Sequence, residues 1–567
     1  MSMKTLNYAL RAAATLSLTS AVFGQVSLFD LMGEALGDRF GSAVAGVGDV
    51  DGDLVPDWAA SSPFSNTNGS MSGSVRIFSG ATGNTLMSFT GAAAGDLFGY
   101  SVAGGDLNGD GRSDIIIGAY GSDSGGTDAG TVYAFSGLDE SLIFSQDGSS
   151  AGDSLGFAVS FIRDVNGDGK GDVLAGAWTA DSNGMNNNGE VVLLRGTNGV
   201  QMDKWVGENP FDFFGYSVAG LDDVDGDGFG DLVVGAPGNG VNGSGAGSAY
   251  VYSGATGALI HSMLGDAAGD GFGSAVADGG DVDIDNSSDI FVGAPGSDLN
   301  AANAGLARIF SGTTGATLYS FTGDGIGDNF GGAVAGNFDV TADNITDLFV
   351  GAANADPNGT SSGLVRVLSG ADGSTFVTLE GQTAGGRYGS AVANGGDTNF
   401  DNQGELLIGA FGESAGIGAF TGEVHALTFA TEPVYTQSYC MSLDNSGGGS
   451  ALMSSTGTTS VASNRFVLSC SGSVPNTPGL FFYGQSELQV PFGDGFRCVG
   501  GQIFRTNAIV SDSFGLAQTS IDFGNPMVAE GQITGGSVWK FQFWFRDTPA
   551  NASGFNLSDG LSVTFLP

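Results

Sequence analysis

The chain has little positive charge and still less histidine and cysteine. Its 567 residues carry 17 Lys and Arg against 60 Asp and Glu, a formal net charge of −43. Nucleic acid and anionic membrane would be repelled by such a surface, so neither is an expected partner. The two histidines, His261 and His425, cannot build a histidine-rich zinc centre and leave a Ser-His-Asp triad little to work with. Both fall on expected strands, where an ordinary structural role is the expectation. Cys440, Cys470 and Cys498 lie near the C-terminus, enough for one disulfide and an odd thiol, with the pairing open.

Long apolar runs are also missing. Residues 1–24, "MSMKTLNYALRAAATLSLTSAVFG", combine Lys4 and Arg11 with a short apolar stretch ending in small residues. This is the pattern of a secretory signal peptide, and it is too short and Ser/Thr-rich for a membrane span. The expectation is an exported protein, secreted or held at the cell surface, with no transmembrane segment.

Glycine, by contrast, is abundant: 101 residues without a collagen period, with Val, Ile, Phe and Leu in short runs between Gly/Asn/Asp/Ser clusters. That pattern reads as an all-β chain of short strands and tight turns. Seven segments repeat one unit, among them "LFGYSVAGGDLNGDGRSDIIIGAY" and "FFGYSVAGLDDVDGDGFGDLVVGAP". Their leading glycines are Gly41, Gly99, Gly156, Gly215, Gly273, Gly331 and Gly389, spaced by 57 to 59 residues. Each unit reads as four strands, and about 58 residues in four antiparallel strands predict a β-propeller blade. Seven blades can close a ring. Leu28, Gly33, Gly37 and Asp38 match Leu86, Gly91, Gly95 and Asp96 at an offset of 58, while the seventh unit stops after its third strand. The N-terminal strand is therefore expected to complete blade seven, giving a propeller over residues 26–430.

Between the first and second strands of every unit lies an acidic loop. Calcium takes six to eight oxygens in irregular geometry, which suits a tight loop offering several side-chain oxygens and a carbonyl. An EF-hand is excluded, because position twelve from Asp106 is Ile117, inside an apolar strand. Three loops keep oxygen ligands at positions one, three, five and nine and glycine at six: Asp106, Asn108, Asp110 and Asp114; Asp164, Asn166, Asp168 and Asp172; Asp223, Asp225, Asp227 and Asp231. The first, Asp49, Asp51, Asp53 and Asp57, has Leu54 at position six; the fifth, Asp281, Asp283, Asp285 and Asp289, has Asn286 there. The sixth offers Asp339, Thr341, Asp343 and Asp347, and the seventh Asp397, Asn399, Asp401 and Glu405. Position seven (Val55, Arg112, Lys170, Phe229, Ser287, Ile345, Gln403) would give a backbone carbonyl, leaving its side chain free to vary. These loops hold 24 of the 60 acids. The expectation is three to seven structural Ca2+ ions, with no distinctive acid/base pair left over for catalysis.

The Phe-Gly opening, the acidic loop and the Gly-Ala-Pro after the second strand ("FFGYSVAG", "DVDGDGFGD", "VVGAP") resemble FG-GAP repeats, the units of the integrin α-chain β-propeller. Departures are local: Leu155 and Tyr388 replace the leading Phe in units three and seven. The resemblance implies calcium loops on the lower face and ligand contacts opposite. By that implication the loops near Asn66, Asp123, Asn186, Asn239, Asn300, Asn358 and Ser414 are candidate contact surfaces for an extracellular protein or glycan.

Residues 436–567 lack the repeat. The alternation of Trp539, Phe541, Phe543 and Phe545 reads as a strand with one buried face in a separate β-sandwich, in preference to a sugar platform. The "GLFFYG", "WFRD" and "LSDGL" segments resemble a C-terminal module of large secreted bacterial proteins. The leading functional reading is a calcium-stabilised adhesion or ligand-binding module, not an enzyme. A calcium-dependent polysaccharide lyase or hydrolase and a structural surface component are the alternatives.

Overall fold

Strands in this chain are short because glycine-rich turns interrupt every apolar run. The computed structural model describes residues 25–401, 403–413 and 420–429, and in the C-terminal region 436–438, 445–446, 450–457, 466–493, 495–512, 515–521, 532–534, 537–547 and 555–564. The expected leader, Ser414, Cys440 and most of the Gly/Ser/Thr-rich stretch after Gly447 lie outside the described residues.

The second unit shows how a blade is built. Ser101–Gly105, Asp114–Ala119, Thr131–Phe135 and Leu142–Asp147 form a four-stranded antiparallel sheet in sequence order. Its second strand, "DIIIGA", is buried at every position, which is why it reads as a continuous apolar run. The fourth strand alternates between exposed and more buried positions and lies at the outer edge. Six consecutive sheets repeat this order; in the seventh, Ala391–Asn394, Leu406–Ala410 and Glu423–Phe429 are followed by the N-terminal strand Gln25–Met32. Seven four-stranded blades make a propeller. His425 Nδ1 lies 2.8 Å from Asp30 Oδ1 across the last pair, and this hydrogen bond holds the Asp30 carboxyl below its usual range.

Successive blades meet through backbone. The amide of each leading residue donates to a carbonyl of the preceding blade: Phe98 to Ser72 (3.1 Å), Leu155 to Ala129 (2.9 Å), and Phe214 to Asn188, Phe272 to Ala246, Phe330 to Ala304 and Tyr388 to Ser362 (each 3.0 Å). Phe40 to Thr421 at 3.0 Å is the seventh of these bonds and closes the ring. Every leading side chain is consequently buried, from Phe40 at 0% exposure to Tyr388 at 8%. In six blades a glycine of the second strand faces the next blade; in the first blade Ser61 takes that place. A Cβ at Gly118, Gly176, Gly235 or Gly293 would lie 2.0 Å from the leading glycine's carbonyl oxygen, and one at Gly351 or Gly409 would lie 2.1 Å away.

The chain divides into two compact units, Ser27–Thr428 and a second containing Phe429–Pro567. The C-terminal unit is a β domain. A sheet ordered Thr436–Ser438, Leu561–Thr564, Val538–Arg546, Pro478–Gly484, Phe504–Arg505 shares one core with the three-stranded sheet Leu452–Gly457, Phe466–Ser471, Ala517–Ile521. Trp539, Phe541, Phe543 and Phe545 are at most 1% exposed, so the alternating strand is core and no sugar platform. The "LSDGL" segment is structural too: Ser558 Oγ accepts from the Phe543 amide at 2.9 Å, and the Asp559 carboxylate from Met453. Cys498 is disulfide-bonded, and Cys470 is a buried free thiol.

Because the interblade contact is backbone on backbone, Gly235→Ala has nowhere to relax. It should lower stability by about 3 kcal/mol, read by denaturant unfolding of the full chain.

Candidate metal centres

The innermost strands all run the same way, so the seven acidic loops emerge at one end of the ring. Each loop folds around its own carboxylates. In the second loop Asp106 accepts from the amides of Gly109 (2.6 Å) and Gly111 (3.0 Å), Asn108 from Asp110 (2.8 Å), and Asp110 from Arg112 (2.8 Å). The fourth repeats this through Asp223, Asp225 and Asp227. These bonds fold the loop back on its own side-chain oxygens.

The ninth-position acid has a different setting. Asp57, Asp114, Asp172, Asp231, Asp289, Asp347 and Glu405 are all 0% exposed. One oxygen accepts from the amide at position two: Val50 (2.8 Å), Leu107 (2.9 Å), Val165 (3.3 Å), Val224 (2.7 Å), Val282 (2.8 Å), Val340 (2.9 Å) or Thr398 (2.5 Å). In the first six blades the other oxygen accepts from the amide of a glycine 23 or 24 residues on, just past the third strand, as from Gly254 to Asp231 at 3.1 Å. The acid thus ties loop to hairpin; in loops one, four, five and six the oxygen facing position two accepts from the position-three amide as well, and the oxygen bonded to the glycine retains a lone pair for a metal. Burial outweighs these bonds and raises Asp57, Asp114, Asp172, Asp231 and Asp347 to about 6, Asp289 to about 7 and Glu405 to about 8.

Among the described residues, three carboxylates converge within 4.8 Å in four loops: Asp49, Asp51 and Asp53; Asp223, Asp225 and Asp231; Asp281, Asp283 and Asp285; Asp397, Asp401 and Glu405. These clusters could hold a metal ion. In the second and third loops the third-position amide nitrogens of Asn108 and Asn166 point at Asp114 and Asp172 (3.1 and 2.9 Å). The sixth loop pairs Asp339 with the amides of Asp343 (3.4 Å) and Asn344 (2.7 Å).

Backbone conformation separates the loops further. Position six is left-handed in the first six: Leu54 (φ 69°), Gly111, Gly169, Gly228, Asn286 and Asn344 (φ 66°). So is position four, which the ligand pattern alone does not flag. Glycine fills it in loops one to four, but Ile284 (φ 61°), Ala342 (φ 58°) and Phe400 (φ 57°) occupy it in the last three. Position seven is not free either. An amide at position eight donates to the position-one carbonyl of the preceding loop, Ser113 to Asp49 at 2.9 Å and Gly171 to Asp106 at 3.1 Å. That bond lays Arg112 over Gly52, and Lys170 over Gly109.

The opposite end carries no such acids at the channel mouth. Tyr100, Phe157 and Tyr216 follow the leading glycines and, with Ser42, Ser274 and Ser390, line a cavity of about 270 Å³. Tyr120 and Trp178, after the second strands, join them: ring centroids lie 4.6 Å apart for Tyr100–Tyr120, 4.9 Å for Tyr100–Phe157 and Phe157–Tyr216, and 5.0 Å for Phe157–Trp178. The contact loops expected from resemblance are partly clamps, since Asn300 and Asn358 donate to the carbonyls of Gly323 (2.8 Å) and Gly381 (3.1 Å). Both histidines serve packing: His261 Nε2 lies 2.6 Å from the Gly312 carbonyl.

A propeller with an acidic loop on the first hairpin of each blade defines the class, and comparison with known proteins agrees. The FG-GAP repeat model matches residues 98–135 and 214–252. Integrin alpha-8 of Gallus gallus is 29% identical over 245 residues, covering 40% of this chain and 22% of that protein. Integrin alpha-4 of Xenopus laevis is 30% identical over 276 residues (46% and 25%), and integrin alpha pat-2 of Caenorhabditis briggsae 33% over 225 residues (35% and 18%). The chain therefore spans a quarter or less of the length of these relatives. The chain carries FG-GAP repeats at residues 98–135 and 214–252 and is similar to integrin alpha chains.

Two outcomes follow from the loops. Replacing the strained position-four residue by Ile284→Gly should raise stability by about 0.5–1 kcal/mol in denaturant unfolding. With a chelator present, the raised ninth-position acids favour a folded state that keeps protons the unfolded chain releases. Their contribution is complete below about pH 4 and is lost as pH rises through 6 to 8, so the metal-free melting temperature should fall across that window.

Proposed function

We propose that the chain is an extracellular calcium-stabilised propeller that binds a protein or glycan ligand at the mouth opposite its acidic loops. The observation that carries this reading is the aromatic cluster of blades two to four. Five rings converge at one mouth of the channel, while the other half of the rim is small, at Ser42, Ser274 and Ser390. The indole Nε1 of Trp178 is buried there without a hydrogen-bond partner, a donor that a ligand oxygen would satisfy. Aromatic rings with polar tips are the usual anchors of binding surfaces.

The acidic loops supply the supporting chemistry. Oxygen-only donors at alternating positions, with several carboxylates converging, suit Ca2+ better than a softer metal. Asp223, Asp225, Asp227 and Asp231, with the Phe229 carbonyl, form the most complete donor set. The bound ion would offset carboxylate repulsion and hold the loop's shape. Among the described residues no helix is long and apolar enough to cross a membrane.

An array of glycans and extracellular proteins, probed with the full chain in calcium and in excess chelator, tests this. A ligand should be retained in calcium, and Tyr100→Ala should weaken it about tenfold or more with little change in melting temperature. Undiminished binding by Tyr100→Ala would move the contact surface elsewhere.

A further inference from the structure

The first and fourth loops present the same four acids, Asp49, Asp51, Asp53 and Asp57 against Asp223, Asp225, Asp227 and Asp231. Their surroundings differ in whether a cation pairs directly with a loop ligand position. Arg112, at position seven of the second loop, crosses the blade boundary and brings Nη1 to 3.8 Å from Asp49 Oδ1. The guanidinium lies flat on Gly52: a Cβ there would fall 1.4 Å from Nη1 and 1.7 Å from Cζ. Arg112 Nη1 is buried and has no hydrogen-bond partner of its own. The bond from the Ser113 amide to the Asp49 carbonyl fixes this placement.

Over the fourth loop the corresponding residue is Ser287, whose hydroxyl reaches the Val224 carbonyl at 3.4 Å and brings no charge. Arg163, the nearby cation on that side, pairs at 2.9 Å with Asp222, outside the loop, and reaches Asp223 only as a weaker, longer-range charge. Lys170 lays its methylenes over Gly109, and Phe229 lays its ring near Gly167. Among the described ion pairs, Arg112–Asp49 is the one that brings a base from a neighbouring blade onto an acidic-loop ligand position.

We propose that Arg112 is a resident cation for the first acidic loop, so that this loop keeps its fold without a metal and takes Ca2+ more weakly than the fourth. A guanidinium within 4 Å of Asp49 already neutralises part of the charge that a divalent ion would neutralise. An incoming ion must either share that carboxylate with Arg112 or displace it. The orphaned Nη1 fits this role: it is aimed at the carboxylate cluster yet committed to no other acceptor. Leu54 at position six, left-handed and 78% exposed, adds strain that the fourth loop's Gly228 avoids.

This rests on the reading of the loops as calcium sites, and the test separates the two. The full chain, stripped of metal and dialysed, is titrated with Ca2+ by calorimetry as wild type, Arg112→Gln, Arg163→Gln and the double variant Arg112→Gln/Asp51→Asn. Arg112→Gln should tighten one binding step about tenfold, and the added Asp51→Asn should abolish that gain. Arg163→Gln, whose direct partner Asp222 is outside the loop, should shift the steps far less than Arg112→Gln. In chelator, Arg112→Gln should melt below wild type, and Ca2+ should close the difference. Identical isotherms for wild type and Arg112→Gln, with Ca2+ bound by both, would overturn the resident-cation proposal alone. Absence of Ca2+ binding in every protein would overturn the calcium reading and the proposal together.

Discussion

Backbone meeting backbone between blades is the contact on which this structure depends. Where Gly235 faces the Gly273 carbonyl there is no room for a side chain, and the same joint recurs in five further blades, to Gly409 against Gly41, with Ser61 in its place in the first blade. A contact made of main chain has little tolerance in distance. It sets the spacing of the blades, buries the leading aromatic of each in the joint and brings the seven innermost strands into register. From that register follows the placement of everything functional: one end of each inner strand opens into an acidic loop, the other into the channel mouth.

The acidic loops then combine two electrostatic demands. Outer positions hold solvent-facing carboxylates whose repulsion is softened by loop amides, whereas the ninth acid is buried and tied to its own hairpin. A hydrogen-bonded carboxylate in a dry site is costly when charged, which is why burial wins over the amides at Asp231 and Glu405. A divalent ion is the economical remedy because one ligand offsets the buried acid and its exposed neighbours together. Arg112 reaches the same end in the first loop with a side chain.

Much of this was legible in the sequence, for a physical reason. The Phe-Gly and Gly-Ala pairs mark the interblade joint, and a joint used at every blade boundary makes them recur every 57 to 59 residues, with Ser61 and Ser62 the one departure from Gly-Ala. Leu54 and Asn286 were recognisable as departures because position six is glycine in loops two, three and four. Position four was missed: Ile284, Ala342 and Phe400 are not turn formers, and only the backbone shows them at positive φ. The roles of Arg112 and Lys170 were hidden because they act on the preceding loop, about 58 residues away, where no local pattern reaches. Asn300 and Asn358 looked like exposed contact residues, yet each amide is spent on a carbonyl 23 residues on.

The distance between the two ends of an inner strand bears on what calcium does. Tyr100 and Asp106 bracket the strand Ser101–Gly105, so aromatic mouth and acidic loop are separated by about 20 Å at roughly 3.3 Å per residue. An ion in the loop cannot touch a ligand at the mouth, as it would in a site where the metal bridges protein and ligand. Its influence has to pass through the order of the inner strand and the hairpin that the ninth acid fastens. Calcium dependence of binding would therefore follow the stability of the blade, and a loop whose charge is already balanced by Arg112 would pass on less of it than a loop that relies on the ion.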